Sequence, residues 1–289
     1  MQNRILTYFQ ISSVFLIACA ISFPSYSAPR TLADILKSKI LNICYTPWRG
    51  ADTEPDMPSP HMEIARAFAK SMNVTPVIKS ILWEKQFQNS EGKTNIGQSY
   101  TPALFDNGDC DLFSNNLGRP SWRLKLMNFN WVYSERNVVI VLQKNKDLFI
   151  NVDDLSEKNT FVVPNTSYHD WLLNFNLEHS QKIKINAVTA GGTLHYLLNG
   201  EADFVILSSA IVIYSKFHLN KKIEIAFPIS PQNPSGWGFA KGDPGLLNLS
   251  KKFIEKQSNQ KNSELNTIFK KYFGLTLKEF HELQEQTTP

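Results

Sequence analysis

One short pattern occurs twice in this chain and constrains its fold more than any other feature. Residues 107–113 read NGDCDLF and residues 199–205 read NGEADFV. In each, Asn-Gly closes a helix, because glycine enters the left-handed conformation without a steric penalty, and an acidic residue then opens a short apolar strand. Each is a helix-to-strand joint of an alternating βα series. Each joint marks a similar βα unit, one in each half, without any longer internal repeat, and the alternation along the chain means α/β.

The remaining elements fit that alternation. Residues 39–45 (KILNICY) read as a strand, and residues 62–72 (MEIARAFAKSM) as a helix with Ile64, Ala65, Phe68 and Ala69 on one face. A second strand covers 74–82 and a short helix 100–106, with the polar run 88–99 as a loop insertion. Residues 111–114 form the next strand, and Asn115-Asn116-Leu117-Gly118 a polar loop leading through Pro120 into a helix. The β-branched run 138–143 (VVIVLQ) opens a second series. It comprises a strand at 160–163, a turn at 164–167 and a helix over 168–178 with Leu172, Leu173 and Phe175 inward. A strand at 183–187, a helix at 193–199 that Gly192-Thr193 begins, and a strand at 204–207 complete it. Strands at 223–229 and 237–241 return through Pro228, Pro231 and Pro234. Amphipathic helices at 246–257 and 264–272 follow, and Phe273-Gly274 ends the last before a charged tail. The second unit is thus inserted into the first: 28–137 with 230–289 form one lobe and 138–229 the other, joined by two crossover strands.

The chain of 289 residues, 42% hydrophobic and 12% aromatic, can build two cores. Residues 1–27 carry one positive charge, an apolar run from Ile5 to Phe23, Pro24, and small Ser25 and Ser27, which is the anatomy of an export signal cleaved after Ser27. The run is short for a permanent membrane span, with an uncleaved anchor as the alternative. Leu16-Ile17-Ala18-Cys19 resembles the bacterial lipobox, so lipid anchoring at Cys19 stands beside soluble release. The apolar residues 20–23, with Ser25 and Ser27 as an ordinary cleavage site, favour soluble release outside the cytoplasm. Without Arg4 the net charge of +4 becomes about +3, and the charges are scattered, which argues against a nucleic-acid partner. Cys44 and Cys110 then remain, and an oxidising compartment invites a bridge. Near the end of one parallel strand and the start of another, they would lie roughly 10 Å apart at about 3.3 Å per residue. A disulfide spans Cα atoms no more than about 7 Å apart. They are therefore expected to stay unbridged, although spacing alone leaves the question open. No histidine grouping has metal-ligand spacing, and no nucleophile elbow or phosphate loop occurs, so neither metal nor cofactor is expected.

Five pieces in order carry a family resemblance. They are Tyr45-Thr46-Pro47-Trp48, the helix MEIARAFAKSM, the helix-Gly-x-x-Asp strand, the segment GWGFAKGDPGLLNLSKKFIEK at 236–256, and Lys271-Tyr272-Phe273-Gly274. Over residues 39–274 the chain resembles the bacterial extracellular solute-binding proteins of the polar amino acid type (family 3), the periplasmic receptors of ABC importers. The resemblance implies a two-lobed α/β periplasmic-binding-protein fold of type II, a monomer that closes by a hinge on a small-molecule solute. It also implies an inner-membrane ABC permease as partner and no catalytic residues.

The same resemblance nominates ligand-binding residues. Arg123 matches an arginine that forks onto a ligand carboxylate, a task suited to its planar, permanently charged donors; a surface arginine is the plainer reading. Tyr45 and Trp83 match aromatic walls, or pack in the core. Thr166 and Ser167 match a turn that donates hydrogen bonds to the carboxylate, or form a simple turn. Asn115 and Asn116 fall where relatives line the cleft with small hydroxyl residues. Three positions depart from the pattern: Gly118 replaces a Ser or Thr, Asn165 replaces a glycine, and Ser208 replaces the aspartate that meets the α-ammonium. A buried charge left without its partner costs about 3 to 5 kcal/mol, and about 1.4 kcal/mol is tenfold in affinity. Ordinary α-amino acids are then expected to bind weakly, unless another acid substitutes.

Two other classes share the resemblance. Around VPNTSYHDWL and SSAIVIYSKF the chain is similar to the non-catalytic lobe of membrane-bound lytic transglycosylases. The residues after Gly274 leave no room for a muramidase domain, so a sensor or scaffold role is the form this alternative takes. Periplasmic cyclohexadienyl dehydratases are the other, for which His169 or Glu84 would have to act as acid or base.

Overall fold

The computed structural model describes residues 28–46, 59–81, 85–86, 103–118, 121–164, 166–188, 192–219 and 222–286. The expected export signal, Cys19, Trp83, Glu84, the 88–99 insertion, Pro120 and Asn165 lie outside them. The first half contains α1 (Leu32–Ser38), β1 (Ile40–Tyr45), α2 (Pro60–Ser71), β2 (Thr75–Ser80), α3 (Ala103–Asp106), β3 (Leu112–Leu117), α4 (Ser121–Leu126) and β4 (Asn128–Glu135). Then follow β5 (Asn137–Leu142), β6 (Asn159–Val162), α5 (Ser167–Glu178), β7 (Lys184–Ala187), α6 (Thr193–Leu198), β8 (Val205–Ser208), α7 (Ser209–Leu219) and β9 (Ile223–Pro228). The chain ends with β10 (Asn233–Phe239), α8 (Gly245–Ser258), α9 (Glu264–Phe273) and α10 (Leu277–Gln286).

Two separate sheet systems make two lobes. A five-stranded sheet runs β2-β1-β3-β10-β4, with β1 parallel to β2 and β3, and β10 antiparallel to β3 and β4. The second lobe has the antiparallel trio β8-β5-β9 and the parallel pair β6-β7. A bridge from Thr160 to Phe204 ties the pair to β8. The chain leaves the first sheet through Arg136 alone and returns through residues 229–232. Val139 and Val141 of β5 face a core with Phe149 and Phe204, while Val138 and Ile140 face one with Val205 and Leu207. Burial on both faces explains why the run is continuously apolar rather than alternating.

Several expectations change. The polar loop at 115–118 is strand as far as Leu117, because β10 pairs with it and its asparagine side chains are satisfied by neighbours rather than by water. Leu173 is exposed, whereas Leu172 and Phe175 are buried as expected. β4, α1 and α7 add elements the periodicity did not announce. The charged tail is α10, whose Phe280 is buried against Tyr133, Phe269 and Phe273. Asn-Gly does end helices as expected, with φ of 70° at Gly108 and 78° at Gly200.

Cys44 and Cys110 are bridged, contrary to expectation, with Cα atoms 5.7 Å apart. The strand argument failed because Cys110 precedes β3 instead of opening it. Asp111 N–H bonds the Asn42 carbonyl and Cys110 N–H the Leu104 carbonyl, so the segment before β3 curls back over β1. In strict register Cys110 would lie three residues from the level of Cys44, which pairs with Phe113, so the observed 5.7 Å requires the chain to bend before β3.

Candidate functional site

In open α/β lobes, side chains that meet a ligand gather at the carboxyl ends of the strands. Four such ends carry the nominated residues. β1 ends at Tyr45, which shares the face of the buried Leu41 and Ile43 and is half-buried on the α2 side of the sheet. β3 ends with Asn115, Asn116 and Leu117, and exposed Gly118 follows. β6 leads to the turn at Thr166, and β8 ends at Ser208.

Arg123 lies on α4 and is only 5% exposed. Its Nη1 donates to the Gly118 carbonyl at 2.9 Å, so the guanidinium is drawn back onto the end of β3 rather than into solvent. The plainer surface reading does not describe it. Thr166 caps α5: its Oγ1 accepts from His169 N–H at 3.2 Å and donates to the Val163 carbonyl at 2.8 Å. Ser167 Oγ accepts from Asn137 Nδ2 at 3.4 Å across the crossover.

The two asparagines are structural cross-links. Asn115 Oδ1 accepts from Thr46 N–H at 2.6 Å, and its amide donates to Gln86 Oε1, so the ends of β1 and β3 are held together. The Asn116 amide donates to Glu135 Oε1 and its Oδ1 accepts from Ser235 Oγ. His61 Nε2 stands 3.3 Å from the same Oδ1 and 3.0 Å from the Tyr133 hydroxyl. Burial pushes the His61 imidazole down to about 3, so it is neutral here.

Ser208 is fully buried and donates to Glu135 Oε2, while its Oγ also accepts from Ala210 N–H at 3.1 Å. A carboxylate from the end of β4 therefore reaches the end of β8. Burial pushes Glu135 up to about 7, against the lowering effect of hydrogen bonds from Ser208, Asn116 and Ser235. Sequence reasoning missed Glu135, Tyr133, Ser235 and His61. The available signal was Glu135-Arg136, a charged pair set between two buried β-runs at 128–135 and 137–142. Among the described residues no group of three or more His, Cys, Asp or Glu could hold a metal ion.

Two α/β lobes joined by two crossovers, with polar side chains collected at the strand ends beside them, define the type II periplasmic-binding-protein architecture. The family model for bacterial extracellular solute-binding proteins, family 3, matches residues 60–275, and the chain belongs to that family. It is 20% identical over 265 residues to a probable amino-acid ABC transporter-binding protein of Haemophilus influenzae, covering 90% of this chain and 95% of that one. It is also 21% identical over 232 residues to membrane-bound lytic murein transglycosylase F of Desulfosudis oleivorans, covering 76% of this chain. The match spans 46% of that transglycosylase, about half its length. Among solved structures, an amino acid ABC transporter substrate-binding protein, AbpA, of Streptococcus pneumoniae bound to L-arginine superposes with a TM-score of 0.66. It is 17% identical and covers 84% of this chain and 98% of its own. The ancestral amino acid-binding protein AncCDT-1, a precursor of cyclohexadienyl dehydratase, gives 0.65 at 18% identity over 84% of this chain and all of its own.

Proposed function

We propose that this protein is a periplasmic receptor that takes a small carboxylate-bearing solute of amino-acid type between its lobes and delivers it to an ABC permease. The observation that carries the reading is Arg123, a buried arginine anchored at the end of β3. The planar, permanently charged donor fork of a guanidinium matches the two oxygens of a carboxylate. The lobes in this reading are 28–137 with 230–289, and 138–229, and the crossovers at Arg136 and 229–232 are the hinge. Tyr45, Trp83, Gly118, Thr166 and Ser167 complete the binding wall, with Asn115, Asn116 and Ser208 holding it in shape. No residue has a catalytic role, and the receptor acts as a monomer. The amino-acid receptors among its relatives support this reading.

A ligand present at about 100 times its Kd stabilises the folded state by about 2.7 kcal/mol. A thermal-shift screen of amino acids, organic acids, opines and muropeptides, with mass spectrometry of co-purified solute, therefore tests it. Arg123→Lys should abolish the shift by any carboxylate hit while leaving the unliganded melting temperature within a few degrees. No hit, or an undiminished shift in the variant, would count against it. The match to the transglycosylase supports a second reading, a sensor or scaffold domain, in which muropeptides alone would give a shift. A dehydratase would consume its ligand instead of retaining it.

A further inference from the structure

Helix α10, which the charged composition of its residues disguises as a tail, lies beyond the stretch 60–275 that the family model matches. It packs on β4, the edge strand of the first sheet. Phe280 seats it against the ring of Tyr133, and His281 Nε2 accepts from Ser134 N–H at 3.2 Å. One turn further on, Gln284 is 1% exposed and its Oε1 accepts from Ser209 Oγ at 2.8 Å. Ser209 is the first residue of α7, which runs between β8 and β9 of the second lobe. α10 therefore holds the first lobe through His281 and the second through Gln284, on either side of the crossover at Arg136.

Helix α7 is built to be held in this way. Ala210 and Tyr214 lie in the core of the first lobe, with the Tyr214 ring 6.0 Å from that of Tyr272, whereas Val212 lies in the second-lobe core with Val138 and Ile140. At about 100° per residue, Val212 stands roughly 200° round the helix from both of the others. α7 is thus buried on two opposite faces, one in each lobe. Apolar packing has no direction and lets such a helix turn or slide, while hydrogen bonds at its first residue do have one. Ser209 N–H donates to the Arg136 carbonyl at 2.9 Å, and its Oγ accepts from Arg136 N–H at 3.2 Å. Arg136 travels with the crossover, but α10 is fixed to the first sheet.

We infer that α10 is a brace across the junction of the lobes, in which Gln284 is the positioning residue that holds α7, and with it the neighbouring Ser208, against the first lobe. In the solute-receptor reading, on which its use rests, the brace narrows the arrangements that the lobes sample without solute and so sets the share of receptors ready to bind.

The test needs no solute. Spin labels on Lys70→Cys (α2) and Asn174→Cys (α5), both exposed, report the interlobe distance in a Cys19→Ser background by double electron–electron resonance. Gln284→Ala and Ser209→Ala cut the same bond from opposite lobes. Each should broaden the distance distribution, and the double variant should broaden it no further than the stronger single one. Hydrogen exchange at the amide of residue 209 should speed up about tenfold in Gln284→Ala. Ser250→Ala is the control: it removes a buried bond from Asn130 at 3.1 Å inside the first lobe and should leave the distribution unchanged. An unaltered distribution in either brace variant overturns the inference. So does equal broadening in Ser250→Ala, which would make the effect one of general loosening. Should Gln284→Ala not fold, Ser209→Ala decides alone. A failed ligand screen overturns the receptor reading and leaves these distances unaffected.

Discussion

Reducing the Cys44–Cys110 bridge should destabilise the first lobe more than any single side-chain truncation on its surface. The bridge closes a loop with a sequence separation of 66 residues. For a loop of that length the chain-entropy relation predicts about 4 kcal/mol of stabilisation, acting on the unfolded state. At roughly 2–4 °C per kcal/mol for a lobe-sized unit, the melting temperature should drop by roughly 10 °C. Both sulfurs are buried, Cys44 among Phe105, Phe113 and Leu117, so removing them also opens a small cavity. Two measurements separate the effects. Thermal unfolding of the unmodified chain with and without reductant keeps both thiols and reads the loop constraint alone. The double variant Cys44→Ala with Cys110→Ala adds the cavity and should lie somewhat lower still. Mass spectrometry with thiol alkylation fixes the redox state of each sample. Oxidised and reduced chains melting within about 3 °C of each other would refute the entropic reasoning. Finding free thiols in the protein isolated without reductant would refute the bridge itself.

Glu135→Gln should stabilise the protein at pH 8 but not at pH 4. A carboxyl raised from 4.5 to about 7 takes up protons on folding between those values, so stability is progressively lost as pH rises through that window. The full effect is on the order of 3 kcal/mol, less whatever the weaker neutral hydrogen bonds forfeit, and denaturant titrations at pH 4, 6 and 8 would read it. Asp111 is a related case, pushed up to about 6 by burial although Arg30 contacts it at 2.8 Å. Arg30→Gln should therefore raise that carboxyl further and cost about 1–3 kcal/mol at pH 8, with a smaller loss at pH 5. Phe280→Ala should cost about 3–5 kcal/mol by opening a hole among Tyr133, Phe269 and Phe273, measurable by thermal unfolding.

Much of the architecture is legible from local chemistry. Asn-Gly joints, β-branched runs and the Ile64-Ala65-Phe68-Ala69 face each rest on backbone preference or on the period of one element, and these hold without knowledge of neighbours. Readings that depended on what lies alongside were less secure. Asn115 and Asn116 look like loop residues because asparagine disfavours strands, and only pairing with β10 and bonds to Thr46 and Glu135 keep them extended. Lys278, Glu279 and Glu282 make the last helix look like a solvated tail, yet its buried stripe, Leu277 and Phe280 with Gln284, is what packs. Arg123 could be singled out in sequence, but not the Gly118 carbonyl that holds it.

The sequence by itself determined that this chain is a two-part α/β protein with an inserted unit, because helix caps, turn residues and hydrophobic periods act over a few residues. Family membership was legible for the same reason, as ordered local motifs. Only the tertiary structure decided that Cys44 and Cys110 meet, since a bend before β3 cancels their offset in strand register. It also decided that the acid at the junction is Glu135, set against Ser208 from another lobe. These contacts join residues 66 and 73 positions apart, and their energy depends on burial and on the geometry of a few atoms. Neither quantity exists until the lobes have packed.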